Sequence, residues 1–270
     1  MPPQLITFLS DYGHADEFVG VCHGVIATVC PQARVIDIGH EVPRHDVRAG
    51  ALMLYAALPY LPVGVHLAVV DPDVGAARRA VAIRAADHRL LVGPDNGLLW
   101  LAAELGGGVV EAVDIARSPF RLKPVSATFH GRDLFAPVAA RLADGASLHE
   151  AGEPCDPDQL VRLELPLAKV EGGVLVATVV YVDRFGNLQL NVDHHELTQT
   201  GLKMGRSVAL EVGPDLSHDA QYALTFADVP AGDLLLYEDA HRQLAVAVSH
   251  GSAAELLGIG VDDELRITAK

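Results

Sequence analysis

The first half of the chain alternates short apolar runs with segments of helical periodicity. The apolar runs predict buried strands at residues 5–9, 35–38, 65–70, 80–84 and 89–92. The helical segments are residues 18–30, 47–58 and 98–105, and prolines end the first two of them. Strands that alternate with helices are typical of βα units around a mainly parallel sheet. The pattern therefore predicts an α/β N-terminal domain.

The pattern changes after residue 145. Residues 145–157 are rich in glycine, proline and acidic side chains, and short apolar runs separated by turn residues follow. These runs predict strands at residues 174–182, 188–192, 207–212, 233–237 and 244–249. Several short strands at this spacing indicate a small barrel or sandwich. We therefore predict an α/β domain over residues 1–150, a linker over 151–167 and a smaller β-barrel-like domain over 168–270.

Composition and charge narrow the class of protein. Of the 270 residues, 50% are apolar but only 5% are aromatic, so a core built mainly from Ala, Val and Leu is expected and a disordered chain is excluded. The net charge of −15 argues against a nucleic-acid partner, and no uncharged apolar run reaches the roughly 18 residues of a membrane span. Three cysteines without a CxxC pair, and no secretory leader, favour a cytoplasmic protein.

Three polar clusters follow apolar stretches, at positions where α/β sheets bind ligands. They contain Asp11, then Asp71 with Arg78, and then His130. A single Asp in a turn is usually a cap, so Asp11 or Asp71 alone would be unremarkable. Three clusters at equivalent positions favour a site, in which Asp, Arg and His together can orient and polarise a nucleophile.

Other candidate chemistry is weaker. Neither Ser10 nor Ser126 lies in a GxSxG motif, and the glycines at 106–108 are not followed by the Lys of a phosphate-binding loop. Two acid- and histidine-rich segments, residues 40–46 and 193–196, lack metal-ligand spacing, so we interpret both as solvated turns and expect no metal site.

One motif in the β-rich domain combines an acid, an aromatic ring and a carboxamide around a glycine turn: Asp183, Phe185 and Asn187. Such a set can hold an adenosine-like ligand, with the ring against the base and the polar groups at its edge or at an ammonium. The same residues also fit a plain hairpin with Phe185 in the core. Spacing alone leaves both interpretations open.

Taken in order, five motifs resemble the S-adenosyl-L-methionine hydroxide adenosyltransferase family, whose relatives are the fluorinating and chlorinating enzymes. The motifs are Ser10-Asp11-Tyr12-Gly13 with Asp16-Glu17-Phe18, Val70-Asp71-Pro72 with Gly75 and Arg78, Gly93-Pro94-Asp95-Asn96-Gly97, Phe129-His130-Gly131-Arg132-Asp133-Leu134-Phe135-Ala136-Pro137, and Asp183-Arg184-Phe185-Gly186-Asn187. The resemblance covers nearly the whole chain. It implies an α/β domain joined to a β-barrel-like domain, in a homotrimer with sites at subunit interfaces.

The resemblance also implies an activity: S-adenosyl-L-methionine and water give adenosine and L-methionine, with no metal or organic cofactor. The catalytic set falls on Asp71, Arg78 and His130, with either Asp71 or His130 as the general base.

The same resemblance assigns substrate contacts. Asp11 corresponds to the acid that binds the ribose hydroxyls, and Asp183 to the acid near the methionine ammonium. Phe185 corresponds to the aromatic ring against the adenine, and Asn187 to the carboxamide at the edge of the base.

The sequence departs from the family pattern at three places. Asp73 stands where the pattern has glycine, and residues 237–239 and 249–250 replace segments expected to contact the methionine carboxylate. Two alternatives to hydrolysis stay open: a binding module without turnover, for which these departures would be the reason, and a halide-dependent enzyme. A metallohydrolase built on His40 and His45 is a more distant alternative.

Overall fold

A computed structural model of the protein describes residues 4–213 and 216–270. The chain divides into two units, Met1–Leu163 and Glu164–Lys270, and each has its own hydrophobic core. Within the described ranges, no helix has both the length and the apolar character that crossing a membrane requires.

A seven-stranded sheet organises the first unit. Its strands are β1 (Leu5–Ser10), β2 (Arg34–Gly39), β3 (Val65–Val69), β4 (Ala80–Ala85), β5 (Leu90–Pro94), β6 (Val109–Asp114) and β7 (Glu153–Pro154). The order is β2-β1-β3-β5-β4-β6-β7; the first four strands in this order pair in parallel, and the remaining pairs are antiparallel. The predicted α/β class is confirmed.

Helices cover this sheet. They are α1 (Phe18–Val29), α2 (Val47–Ala57), α3 (Trp100–Leu105), α4 (Ala136–Ala143) and α5 (Leu148–Ala151), and a π-helical turn, Gly131–Phe135, runs directly into α4. Ile6, Phe8 and Leu67 of the sheet share one core cluster with Cys22 and Ile26 of α1, and α4 packs against α1 in the same cluster. Every residue of β3 is buried, which explains why that segment is almost entirely apolar in the sequence, with His66 as the one exception.

The second unit is a closed barrel. Its strands are β8 (Lys169–Glu171), β9 (Val174–Val182), β10 (Leu188–Asp193), β11 (Ser207–Val212), β12 (Leu216–Tyr222), β13 (Leu234–Glu238), β14 (Gln243–Val248) and β15 (Glu264–Ala269), with short helices α6 (His194–Thr198) and α7 (Ala253–Leu257). Seven strands follow the order β10-β14-β13-β12-β11-β15-β9, and pairing of β9 with β10 closes the ring. The predicted barrel-like domain is confirmed.

Several elements were not predicted from the sequence, among them β6, β12, β15 and α4. In β12 only the last residues are buried, so most of the strand lacks the apolar alternation that identifies a half-buried strand. Its hydrogen bonds to β11 hold it in the barrel instead. Closure of the barrel thus includes a segment whose side-chain pattern does not identify it as a strand.

A buried histidine in β3 makes the stability of the first unit depend on pH. His66 is fully buried beside Thr7, whose Oγ1 lies 2.9 Å from its Nδ1. Burial, and then the positive charge of Arg89, lower the pKa of His66 to about 4 from its usual 6.5. Between those two values the unfolded chain binds a proton that the folded protein does not, so stability is lost as the pH falls from about 6.5 to 4.

We therefore expect His66→Asn to flatten the acid side of the stability profile. The wild-type loss of unfolding free energy between pH 7 and 4 should exceed that of the variant by up to about 3 kcal/mol. Denaturant titrations at several pH values measure it, and His149→Asn, at a histidine whose side chain is 70% exposed, is the control. Equal slopes for wild type and His66→Asn would contradict the assignment.

Candidate active site

A buried ion pair lies in the loop that follows β3. Arg78 donates from Nε to Oδ1 of Asp71 at 2.8 Å, and its Nη2 also donates to Oδ2. The guanidinium therefore binds the carboxylate through two hydrogen bonds. The side chains are only 9% and 7% exposed. A bidentate pair of this kind fixes both side chains in one orientation.

The same guanidinium also reaches a histidine from a distant segment. Nη2 of Arg78 lies 3.0 Å from Nδ1 of His130. Because Arg can only donate, Nδ1 must accept, and the proton of the neutral imidazole is on Nε2. Burial, followed by the charge of Arg78, lowers the pKa of His130 below its usual 6.5. The structure thus brings together Asp71, Arg78 and His130, with His130 neutral and Nε2–H available as a donor.

Two motif residues that the sequence analysis left without a role support this cluster. Asn96 donates from Nδ2 to the carbonyl of Val70 at 2.9 Å and so anchors the backbone just before Asp71. The ring of Phe135 lies 5.2 Å from the Arg78 guanidinium carbon, which gives the cation an aromatic face. The signal that could have found Phe135 was its place in the His130 motif.

Two glycines allow the loops to approach this closely. Gly75 has a φ of +84°, and a Cβ there would lie 2.7 Å from the carbonyl oxygen of Ala127. A Cβ on Gly131 would lie 2.0 Å from the Tyr12 hydroxyl oxygen. The glycines of these motifs are therefore required by packing.

Asp11 leaves the neighbouring strand at the same edge of the sheet. Ser10 of β1 is in register with Val69 of β3, two residues before Asp71. The carboxylate of Asp11 accepts a hydrogen bond from the backbone N–H of His45 at 3.0 Å. Asp11 and Asp71 therefore emerge from adjacent parallel strands, the position where α/β sheets bind ligands.

The segment after β2 is not simply a solvated turn. His40 is 1% exposed, and its Nδ1 lies 2.7 Å from Oγ of Ser10. Its backbone carbonyl accepts the N–H of Gly13 at 2.7 Å. The predicted solvated turn over residues 40–46 is thus wrong for His40, which is buried because it packs behind the Asp11 loop.

Asp73, the departure from the family pattern, is exposed and has a negative φ. The backbone therefore accommodates a side chain where the resemblance predicts glycine.

In the second unit, the Asp183 motif forms a tight turn. Oδ1 of Asp183 accepts the backbone N–H groups of Phe185 and Asn187 at 2.8 and 3.0 Å, and Oδ2 accepts from Asn187 Nδ2 at 2.8 Å. Phe185 is 70% exposed, so the interpretation of this ring as core is wrong. The turn presents an exposed aromatic face beside a carboxylate and a carboxamide that hold each other in place.

Near the C-terminus, the residues that depart from the family pattern make contacts within the barrel. Burial first, and then the charges of Asp183 and Asp239, raise the pKa of Tyr237 to about 12, so its hydroxyl stays protonated. Glu238 binds Nδ1 of His194 at 2.7 Å, and Oγ of Ser249 donates to the carbonyl of Phe226 at 3.1 Å. These side chains thus have structural partners in their own unit.

This fold and this site define a class: a two-unit protein with a partly buried Asp–Arg–His cluster at the edge of its α/β sheet. The N-terminal domain of SAM hydroxide adenosyltransferases matches residues 6–152, and the C-terminal domain matches residues 177–266. The chain therefore belongs to the SAM hydroxide adenosyltransferase family.

Comparison with individual proteins supports this family membership. The chain is 52% identical to the (R)-S-adenosyl-L-methionine hydrolase of Salinispora tropica, over 99% of each chain. It is 29% identical to the fluorinase of an Actinoplanes species, over 90% of each chain. An uncharacterized conserved protein from Thermotoga maritima has a similar structure, with a TM-score of 0.90, 35% identity, and coverage of 97% of this chain and 99% of that one.

The Asp183 turn generates a prediction about stability. Gly186 has a φ of +78°, and a Cβ there would lie 2.0 Å from Oγ of Ser252, the side chain that caps α7. We expect Gly186→Ala to cost about 1–2 kcal/mol for the left-handed backbone and about 1 kcal/mol more for displacement of the cap.

Thermal and denaturant unfolding measure this loss. Gly173→Ala is the matched control, because Gly173 also has a positive φ, +86°, but no described residue other than its chain neighbours has an atom within 4 Å of the Cβ position. If both variants lose the same free energy of unfolding, the contact with Ser252 does not contribute to stability.

Proposed function

We propose that the chain hydrolyses S-adenosyl-L-methionine to adenosine and L-methionine. The observation that carries the proposal is the partly buried contact of Arg78 with both Asp71 and His130. Membership of the family and the hydrolase name of a relative that is 52% identical support it.

The proposed reaction is an in-line displacement at C5′ of the ribose. A water oxygen forms the new bond to C5′ while the bond from C5′ to sulfur breaks, and its electron pair leaves with the sulfur of methionine. The sulfonium needs no proton to depart, so the protein has only to place the water and accept one proton from it. Fixed donors and acceptors in a shielded site do this without reorganisation.

We assign the proton acceptor to Asp71. The Nδ1 lone pair of His130 already accepts from Arg78, whereas each oxygen of Asp71 retains a second acceptor position. The Nε2–H of His130 then donates to the water oxygen and orients it. Arg78 keeps the carboxylate in place and stabilises the negative charge that develops on the oxygen.

Four further residues are proposed to hold the substrate. Asp11 accepts hydrogen bonds from the ribose hydroxyls, and Asp183 is the acid near the methionine ammonium. Phe185 stacks on the adenine and Asn187 binds the edge of the base. The exposed ring of Phe185 and the mutual hydrogen bonds of Asp183 and Asn187 support these roles.

The assembly and cellular setting are also proposals. We propose a homotrimer with its sites at subunit interfaces, a reaction without metal or organic cofactor, and a cytoplasmic protein. The buried, free Cys22 and Cys30 suit a reducing compartment. Light scattering on the purified protein tests the trimer, and turnover after chelator treatment tests the cofactor.

The direct test is chromatography of adenosine after incubation of the purified protein with S-adenosyl-L-methionine. Because the relative's name specifies the R configuration at sulfur, an epimeric mixture should be used and the loss of each epimer followed. We propose that the R epimer is consumed. Wild-type protein that yields no more adenosine than His130→Ala contradicts the hydrolase.

The assignment of the base predicts unequal losses in two variants. Asp71→Asn removes the proton acceptor and should lower kcat by about 10²–10⁴-fold. His130→Gln keeps an N–H donor and should lose less. Asp73→Asn, the same change at an exposed acid in the same loop, is the control and should stay within a few-fold of wild type. A larger loss in His130→Gln than in Asp71→Asn would reverse the assignment.

The pKa of His130 predicts the pH profile. Since burial and Arg78 lower that pKa below 6.5, the imidazole stays neutral at pH values where an ordinary histidine is charged. As the pH falls, kcat/KM should hold its plateau through 6.5 and decline only below it. Initial rates between pH 4.5 and 9 measure the profile, and a decline centred above 6.5 would contradict it.

Two other functions have specific tests. The fluorinase relative makes halide chemistry worth testing: chloride in the reaction would give 5′-chloro-5′-deoxyadenosine. A binding module would retain the nucleoside tightly without turnover, which calorimetry distinguishes from hydrolysis. The Asp–Arg–His cluster favours water over both.

A further inference from the structure

Three side chains outside the catalytic cluster converge on one point behind the Asp11 loop. They are His23 of α1, Asp37 of β2 and His40 just after β2, and one ligand atom from each lies within 4.8 Å of the others. Nε2 of His23 lies 2.9 Å from Oδ1 of Asp37, and Nε2 of His40 lies 3.0 Å from the same oxygen. From this geometry we propose a binding site for a divalent transition metal of the zinc type.

The buried histidine points to a ligand. The His40 side chain has no exposed surface, and among the described residues its Nε2 has no hydrogen bond of acceptable geometry, although Asp37 is close. A buried ring nitrogen that has no well-aligned hydrogen bond costs free energy unless something binds it. A metal ion at this point would satisfy His40 and the two neighbouring groups together.

The surroundings prepare His40 to bind a metal through Nε2. Its Nδ1 lies 2.7 Å from Oγ of Ser10, which provides the outer hydrogen bond that metal-binding histidines usually make. When Nδ1–H donates to that oxygen, Nε2 presents its lone pair to the cluster. The ring also packs edge-on to the buried Phe8, with 4.6 Å between ring centroids, so its orientation is fixed.

An irregularity in the pairing of β1 with β2 orients these ligands. Phe8 pairs with Asp37 but Leu9 pairs with Gly39, so one residue of β2 is unpaired. Bulges of this kind redirect side chains next to sites. As a result Asp37 and His40, three residues apart, face the same point beside His23.

The donor set selects the class of metal. Two imidazoles and one carboxylate suit Zn²⁺, Co²⁺ or Fe²⁺, whereas Mg²⁺ requires an octahedral shell of oxygens. Tetrahedral ligands at zinc distances lie about 3.4 Å apart, so the two contacts to Asp37 need to open by about 0.4 Å. His23 and Asp37 are 35% and 40% exposed, which allows this movement and leaves room for water as a fourth ligand.

The proposed metal is separate from the reaction. It would tie α1 to the end of β2, and through His40 it would support the loop of Ser10 and Gly13, whose contacts to His40 are both 2.7 Å. Its role is therefore structural, and its test does not depend on any enzymatic activity.

The experiment is a titration of the metal-stripped full chain with Co²⁺, followed by displacement with Zn²⁺. We expect one equivalent of Co²⁺ with the visible absorption of a four- or five-coordinate ion, and a higher melting temperature with Zn²⁺. His23→Ala and Asp37→Asn should each weaken binding by at least about 100-fold, since even outer-shell changes cost about 10–100-fold.

The matched control is His149→Ala, because His149 also faces an acid, with its Nε2 3.5 Å from Glu111, but belongs to no three-ligand cluster among residues 4–213 and 216–270. It should bind Co²⁺ as the wild type does. X-ray absorption of the zinc-loaded wild type needs no variant and should show imidazole and oxygen ligands. Absence of Co²⁺ binding, sulfur ligands at zinc, or wild-type affinity in His23→Ala and Asp37→Asn would overturn the proposal.

Discussion

The arrangement of the candidate site depends on one side chain, Arg78, which binds two segments that are far apart in sequence. Its guanidinium forms hydrogen bonds to Asp71 in its own loop and donates to His130, 52 residues further on. A buried charge is costly unless it is paired, so neither the arginine nor the carboxylate can be removed without leaving its partner uncompensated. The pair therefore fixes the relative positions of the two loops, and with them the tautomer and charge of the imidazole.

The rest of the first unit serves this contact. Parallel pairing of β1 with β3 brings the ends of both strands to one edge of the sheet, where Asp11 and Asp71 follow. Gly75 and Gly131 allow backbone and ring to approach at distances that a Cβ would forbid. Asn96 holds the carbonyl of Val70 in place. Rigid strands and a supporting shell of hydrogen bonds hold the side chains of the candidate site in one arrangement.

Much of this was predictable from sequence, and the exceptions have physical causes. The five strands of the α/β domain that were predicted, and the helix at 18–30, carry apolar patterns because the sheet is covered by helices. The strand β12 has little apolar pattern, since backbone hydrogen bonds to its neighbour hold it in the closed barrel. The clustering of Asp71, Arg78 and His130 was expected, but the tautomer of His130 was not, because it depends on the three-dimensional approach of Arg78.

The burial of His40 was missed for a related reason. A short polar segment between a strand and a helix has the composition of a solvated turn, and composition carries no information about what packs over it. Here the carbonyl of His40 and the hydroxyl of Ser10 join two loops, which encloses the ring. Long-range contacts of this kind are the part of a site that sequence patterns describe least well.

The electrostatics of the Arg78 cluster favour water over a halide ion as the nucleophile. The positive charge of Arg78 is already matched by Asp71, so an incoming anion meets no net positive charge at this pair. A halide would approach the carboxylate against like-charge repulsion and has no proton to give it, whereas water is neutral on arrival and gains from the same carboxylate as it loses a proton. The acid that would exclude an anion is therefore the group that would activate a water molecule.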